Sequence, residues 1–120
     1  MLNLDTHIVV KLLAGGLTPV EAELINRERL SFSCIVLWEI AMLHKLGRTN
    51  LPASDPHLAA LIRRSVIWNI DLPIATQSAQ LDFRSDPADV IISATSIVHR
   101  IPLLTRDAKI RSSTMVPLAN

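Results

Sequence analysis

The sequence predicts a single α/β domain over residues 1–120, with a parallel sheet that carries helices on both faces. Two observations carry that prediction. Short apolar runs suited to strands alternate almost throughout with segments that open on helix caps and close on helix breakers. Two aspartates, Asp5 and Asp107, follow strand candidates closely, and ligands bind parallel sheets in the crevice outside their carboxyl ends.

Leu2–Leu4 reads as a short buried strand opening into a helical pattern from Thr6 to Leu13, which stops at Gly15-Gly16. Thr18-Pro19-Val20-Glu21 has the form of a capping box. Thr is the N-cap, Pro stands where its missing N–H costs nothing, and Glu reaches back. That helix is expected to run to Arg27. Leu30–Phe32 is the second strand candidate, and Ser33 caps a strongly apolar helix from Cys34 to Leu46 ended by Gly47. After a loop with Pro52, Asp55-Pro56 starts a helix to Ser65. Ile67–Ile70 is the third strand candidate and Ala75–Phe83 a short helix. Asp86-Pro87-Ala88-Asp89 again offers an N-cap, an N1 proline and an acid at N3, launching a helix to His99. Ile101–Thr105 is the fourth strand candidate and Met115–Pro117 a fifth.

Hydrophobic residues make up 49% of the chain and charged residues 19%, the balance of a globular core and not of a disordered segment. Mean hydropathy of +0.34 points to apolar surface left over after folding, which a partner subunit or a second copy would cover. The formal net charge is +1, so any basic surface must be local. Cys34 is the only cysteine, which excludes an intrachain disulfide and a thiolate zinc site and suits a reducing, cytoplasmic setting. The opening MLNLDTHIVV lacks the basic region and cleavage site of a signal peptide. Apolar runs such as Cys34–Leu43 are broken by charge well short of the ~20 residues that span a bilayer.

Glu39 is the most informative acid. Its neighbours three and four positions away on a helix are Ile35, Val36, Met42 and Leu43, all apolar. A carboxylate in such company points to the core or to a cleft and needs a cation, a hydrogen-bond partner or a raised pKa. The plainer alternative is a structural glutamate paired with an arginine. Asp5 and Asp107 each have the alternative of capping the turn that follows. Asp86 is explained by its N-cap position. Asp89 gains from the helix dipole and shares a face with Ser93, Ser96 and Arg100, which a solvated side would also explain. Jointly the acids are less ordinary: three aspartates fall on one edge of a parallel sheet and a glutamate sits in an apolar helix. Carboxylates gathered so would repel unless divalent cations were present, and oxygen-only ligands suit Mg²⁺ or Mn²⁺ over zinc.

Other chemistries fit poorly. Cys34 lies in an apolar stretch and reads as a buried core residue. His7, His44, His57 and His99 lack metal-ligand spacing, although His7 stands close to Asp5. Neither GxxxxGK[ST] nor GxGxxG occurs, and Asp5-Thr6-His7 lacks the second aspartate of a phosphoaspartyl-transfer motif.

Four blocks, in order, resemble the PIN-domain ribonucleases, most closely the VapC-type toxins of toxin–antitoxin pairs. They are Leu4-Asp5-Thr6-His7, Leu37-Trp38-Glu39-Ile40-Ala41 with Leu46-Gly47-Arg48, Asp86-Pro87-Ala88-Asp89-Val90-Ile91-Ile92, and Leu104-Thr105-Arg106-Asp107. The resemblance implies a three-layer α/β/α sandwich and an endoribonuclease that hydrolyses RNA phosphodiesters through a metal-activated water. It maps the family's acids onto Asp5, Glu39, Asp89 and Asp107, which would be catalytic and would hold Mg²⁺, with Mn²⁺ able to substitute. Asp86 is the alternative holder of the third role. Thr6 and Thr105 match supporting hydroxyl positions. Arg84, Arg106, Lys109 and Arg111 are the candidate contacts to RNA phosphates, with a solvated surface run as the alternative for each. Lys11 departs from an aromatic usual in the subgroup, and Ser93 and Ser96 from alanines; neither removes an acid. A cognate antitoxin protein and a homodimer are also implied. The competing functions are a related nuclease acting on DNA or flap structures and a catalytically silent binding module, against which the retention of all four acids counts.

Overall fold

Strand β1 (Leu2–Leu4) lies inside a sheet of order β3-β2-β1-β4 in which every pairing is parallel, in a computed structural model that describes residues 1–120. Its neighbours are β2 (Leu30–Ser33) and β4 (Leu103–Leu104), with Asn3 opposite both Ser31 and Leu103. β3 (Val66–Trp68) completes the sheet beyond β2. Parallel neighbours need long crossovers, and helices supply them. All residues of β1 and β2 are buried, as strands covered on both faces must be. The expected α/β sandwich is what forms.

The helices start where the sequence places caps. Asp5 accepts the Thr6 N–H and opens α1 (Thr6–Ala14), which ends at Gly15 with φ 92. The capping box of Thr18 and Glu21 opens α2 (Pro19–Arg27). Ser33 caps α3 (Cys34–Lys45), and Asp55 caps α4 (Pro56–Arg64). The next helix departs from expectation. α5 runs over Leu72–Ser78, earlier than Ala75–Phe83, because Asp71 accepts the Ile74 N–H and Pro73 is accommodated in the first turn.

α6 (Pro87–His99) starts at Asp86 and ends at Arg100, a non-glycine residue in the left-handed region at φ 55. His99 at its end stacks on Trp68 of β3, ring centroids 3.9 Å apart. α7 (Ala108–Arg111) is the single turn expected after Asp107.

Strand lengths differ from expectation for reasons of pairing. β3 covers Val66–Trp68 and not Ile67–Ile70, since its partners run only from Ser31 to Ser33. β4 is cut to Leu103–Leu104, the two residues that pair with Asn3 and Leu4 of β1. Met115–Pro117 forms no strand; a single parallel bridge between Leu103 and Leu118 covers that sheet edge. The core joins Leu2, Leu4, Phe32, Ile92 and Leu103 with residues of α1, α3 and α4 such as Ile8, Ile40 and Leu61. Cys34 is only half-buried at the start of α3, so it is not the core residue its surroundings in sequence predict.

Candidate active site

Because every strand is parallel, the residues that follow β1 and β4 emerge on the same edge, side by side. Asp5 follows β1 and its backbone N–H still reaches Leu104 O at 3.1 Å. It is 2% exposed and both its carboxylate oxygens accept hydrogen bonds. Oδ1 takes the Thr6 N–H at 2.8 Å and Oδ2 takes the Thr105 hydroxyl at 2.5 Å. The N-cap alternative and the site are therefore one arrangement, since a single oxygen suffices for the cap.

Two threonines link three of the acids. The Thr6 hydroxyl donates to Glu39 Oε1, and the Thr105 hydroxyl, besides donating to Asp5, accepts the Asp107 N–H at 3.0 Å. Both threonines are buried. Glu39 has this partner in place of the arginine that a structural role would require. Asp107 caps α7 by accepting the Ile110 N–H at 3.0 Å through Oδ1. Asp89 is held from outside its helix by the Ser85 hydroxyl, 2.6 Å from Oδ2. The face it shares with Ser93 and Ser96 is interior, both serines being fully buried. That face is not the solvated side of α6, because Asn3 of the central strand donates to Ser96 Oγ and Ile92 O. Asp86 begins α6 without spending its side chain on a cap bond. Its N-cap position thus does not account for its carboxylate, which is exposed and lines the cleft.

The acids share one electric field. Glu39 is pushed above the usual carboxylate range first by burial and then by the charges of Asp89, Asp5 and Asp86, against the opposing bond from Thr6. Asp89 is raised by burial and by the charges of Asp5, Asp107 and Asp86, against Ser85. So Asp5, Glu39, Asp89 and Asp107 are brought to one place, with Asp86 beside them. No three acidic, histidine or cysteine side chains converge tightly enough to form a ready coordination cage. The donor set still suits a hard divalent ion, because magnesium keeps several waters and is usually bound through one or two carboxylates plus substrate phosphate. Glu39 Oε2, Asp89 Oδ1 and Asp107 Oδ2 keep lone pairs that no protein donor uses.

The proposed phosphate contacts separate. Arg84 and Lys109 both line a cleft of about 500 Å³, together with Ser85, Asp86, Asp89, Asp107 and Ala108. Arg106 does not join them. Its Nε donates to Glu21 Oε2 at 2.8 Å and its Nη2 to Glu21 Oε1 and Gly16 O. Arg111 donates from Nη1 to Thr105 O at 3.2 Å and braces the loop. The sequence reading missed Ser85, whose only signal is its place four residues before Asp89, and the pairing of Glu21 with Arg106. His7 was legible only as near Asp5. Its Nε2 accepts the Arg106 N–H at 2.9 Å, which leaves the ring proton on Nδ1, 3.6 Å from Asp5 Oδ2.

Comparison with known proteins decides the family. The PIN domain model matches residues 3–113, nearly the whole chain. The chain belongs to the PIN-domain family. No curated protein sequence matches it. Among solved structures, this PIN domain is similar to a chain of VapBC2 from Rickettsia felis bound to a DNA fragment from its promoter. Identity there is 16% and the TM-score 0.75, over 100% of this chain and 98% of that one. A chain of the FitAcB structure from Neisseria gonorrhoeae aligns at 20% identity and TM-score 0.72, covering 100% and 97%. A toxin–antitoxin complex from Klebsiella pneumoniae gives 22% identity and TM-score 0.68, covering 93% and 91%. At these identities the likeness is one of fold. No helix of this PIN domain is long and apolar enough to cross a membrane.

Proposed function

We propose that this PIN domain is a divalent-metal-dependent endoribonuclease, with Mg²⁺ as the ion and Mn²⁺ as a substitute, acting as the toxin of a toxin–antitoxin pair. The observation that carries the reading is the linked set of acids: Thr105 and Thr6 join Asp107, Asp5 and Glu39 in one hydrogen-bonded chain, and Asp89 lies within their field. Glu39, Asp89 and Asp107 have oxygens free to hold the ion, with Asp5 at the centre and Asp86 as a further ligand from the rim. When bound, such an ion would supply a more acidic water and offset charge on the phosphate. Asp5, buried, and Glu39, half-buried, are held by the threonines and keep the acid set in register so that little reorganisation is needed. Raised proton affinity suits Glu39 or Asp89 to take a proton. Arg84 and Lys109 flank the acids and hold the strand's phosphates.

A cytoplasmic setting, an antitoxin that covers the cleft and a homodimer belong to the same reading. The exposed Trp38, Leu46 and Leu72, at 57%, 64% and 78%, are the apolar surface that partners would cover. The solved toxin–antitoxin complexes of similar fold support it.

The test is incubation of the purified protein with a mixed RNA pool, with a DNA pool alongside, with and without Mg²⁺. RNA cleavage is expected that EDTA abolishes and that Asp5→Asn reduces by more than about a hundredfold, beyond the loss typical of outer-shell partners. Asparagine caps a helix as well as aspartate, so the variant stays folded. Equal cutting by the variant ends the role of Asp5, and cutting of DNA alone ends the ribonuclease assignment.

A further inference from the structure

β4 ends at Leu104, and the residues that follow carry Thr105 and Asp107 without strand pairing to fix them. Side chains satisfy that backbone instead. Arg111 donates to Thr105 O, His7 accepts the Arg106 N–H, and the Thr105 hydroxyl accepts the Asp107 N–H. Between the two functional residues stands Arg106, whose side chain leaves the cleft and enters a two-pronged bond with Glu21.

We propose that Glu21 and Arg106 are positioning residues whose ion pair, closed by Gly16 O, holds the Thr105–Asp107 loop against Asp5. The catalytic consequence rests on the nuclease reading above; the structural one does not.

Glu21 is a fixed anchor. It is 8% exposed, its Oε1 also accepts the Thr18 N–H at 2.8 Å, and its own N–H bonds Thr18 Oγ1 at 3.2 Å. Gly16 belongs to an equally constrained turn: its φ is +115, and a Cβ there would meet Lys11 Cδ at 3.2 Å. The fork of Arg106 therefore grips the α1–α2 connection at Gly16 and the first turn of α2 at Glu21, a geometry that a lysine ammonium lacks. The guanidinium holds Glu21 down to a pKa of about 2, so the pair persists through neutral and mildly acidic pH. Only one peptide bond separates Arg106 from each of Thr105 and Asp107. A shift of the loop stretches the Thr105–Asp5 and Asp107–Thr105 bonds together, and displacements near 1 Å at a reacting centre cost on the order of a hundredfold in rate.

The experiment uses full-length Glu21→Gln and Arg106→Lys, with amide hydrogen exchange resolved at Arg106 and Asp107, and kcat and KM on RNA. Exchange at those two amides is expected to rise about tenfold in both variants while α6 keeps its protection. The expected kinetic effect is a fall in kcat of about tenfold or more with KM for RNA unchanged. Should Glu21→Gln fold poorly, Arg106→Lys, which leaves Glu21 and its capping box unaltered, decides the matter. Wild-type exchange at Arg106 and Asp107 in a folded variant overturns the proposal, as does a raised KM with unchanged kcat. If the wild-type chain cuts no RNA, the nuclease reading fails while the exchange result still judges the clamp.

Discussion

Thr6 and Thr105 show how single residues set the chemistry. Each buried hydroxyl donates to a carboxylate; at Glu39 the bond from Thr6 favours the ionised form, while burial and neighbouring acids push Glu39 and Asp89 the other way. The balance leaves Glu39 and Asp89 raised from ordinary values of 4.5 and 3.8. Folding then retains protons that the unfolded chain has released. The stability this adds is full below those ordinary values and is lost as pH rises through the raised ones. A divalent ion favours the ionised forms, so its stabilising effect should grow across that same window. Thermal unfolding from pH 4 to pH 8, with and without Mg²⁺, should show midpoints that diverge as pH rises. A midpoint indifferent to Mg²⁺ at every pH would sink the metal assignment. Of this balance, the sequence showed the strange company of Glu39 but not its partner. The Thr6 hydroxyl lies 33 residues away, and only the packing of α1 against α3 brings them together.

Elements were legible where a local device sets them. The capping box at Thr18, Ser33 before α3 and the Asp86-Pro87 start of α6 all act within a few residues, so their helices begin where expected. Strand ends and α5 were less legible. The length of β3 is decided by β2, a partner distant in sequence, and α5 depends on Asp71 reaching the Ile74 N–H past Pro73. That cap is testable by itself. Asp71→Ala removes the Ile74 N–H partner and should cost about 1 kcal/mol, lowering the thermal midpoint by roughly 3–5 °C. RNA cleavage at 25 °C should be unchanged, because Asp71 lines no part of the acidic cleft. A loss of activity without a loss of stability would mean that α5 positions Ser85 and Asp89 more directly than its cap suggests.

At the scale of the whole molecule, a chain of net charge +1 has little long-range pull on RNA, so attraction must come from the few cations beside the cleft. Arg106 is taken by Glu21 and Arg111 by Thr105 O, which leaves Arg84 and Lys109 on the cleft walls. Each phosphate contact to a single strand contributes a slope of about −0.7 to the logarithm of affinity against that of salt. Two contacts give about −1.4, and Arg84→Ala should bring it to about −0.7. Binding of a labelled single-stranded RNA to the Asp5→Asn variant, titrated with KCl at constant Mg²⁺, measures both. A slope near −3 would place the strand on cations outside the cleft and displace the path drawn between Arg84 and Lys109. The acids work against those cations, since four carboxylates repel a phosphate strand as they repel one another. Removing Mg²⁺ should therefore weaken RNA binding as well as cleavage, and weaken it most at low salt, where repulsion is least screened.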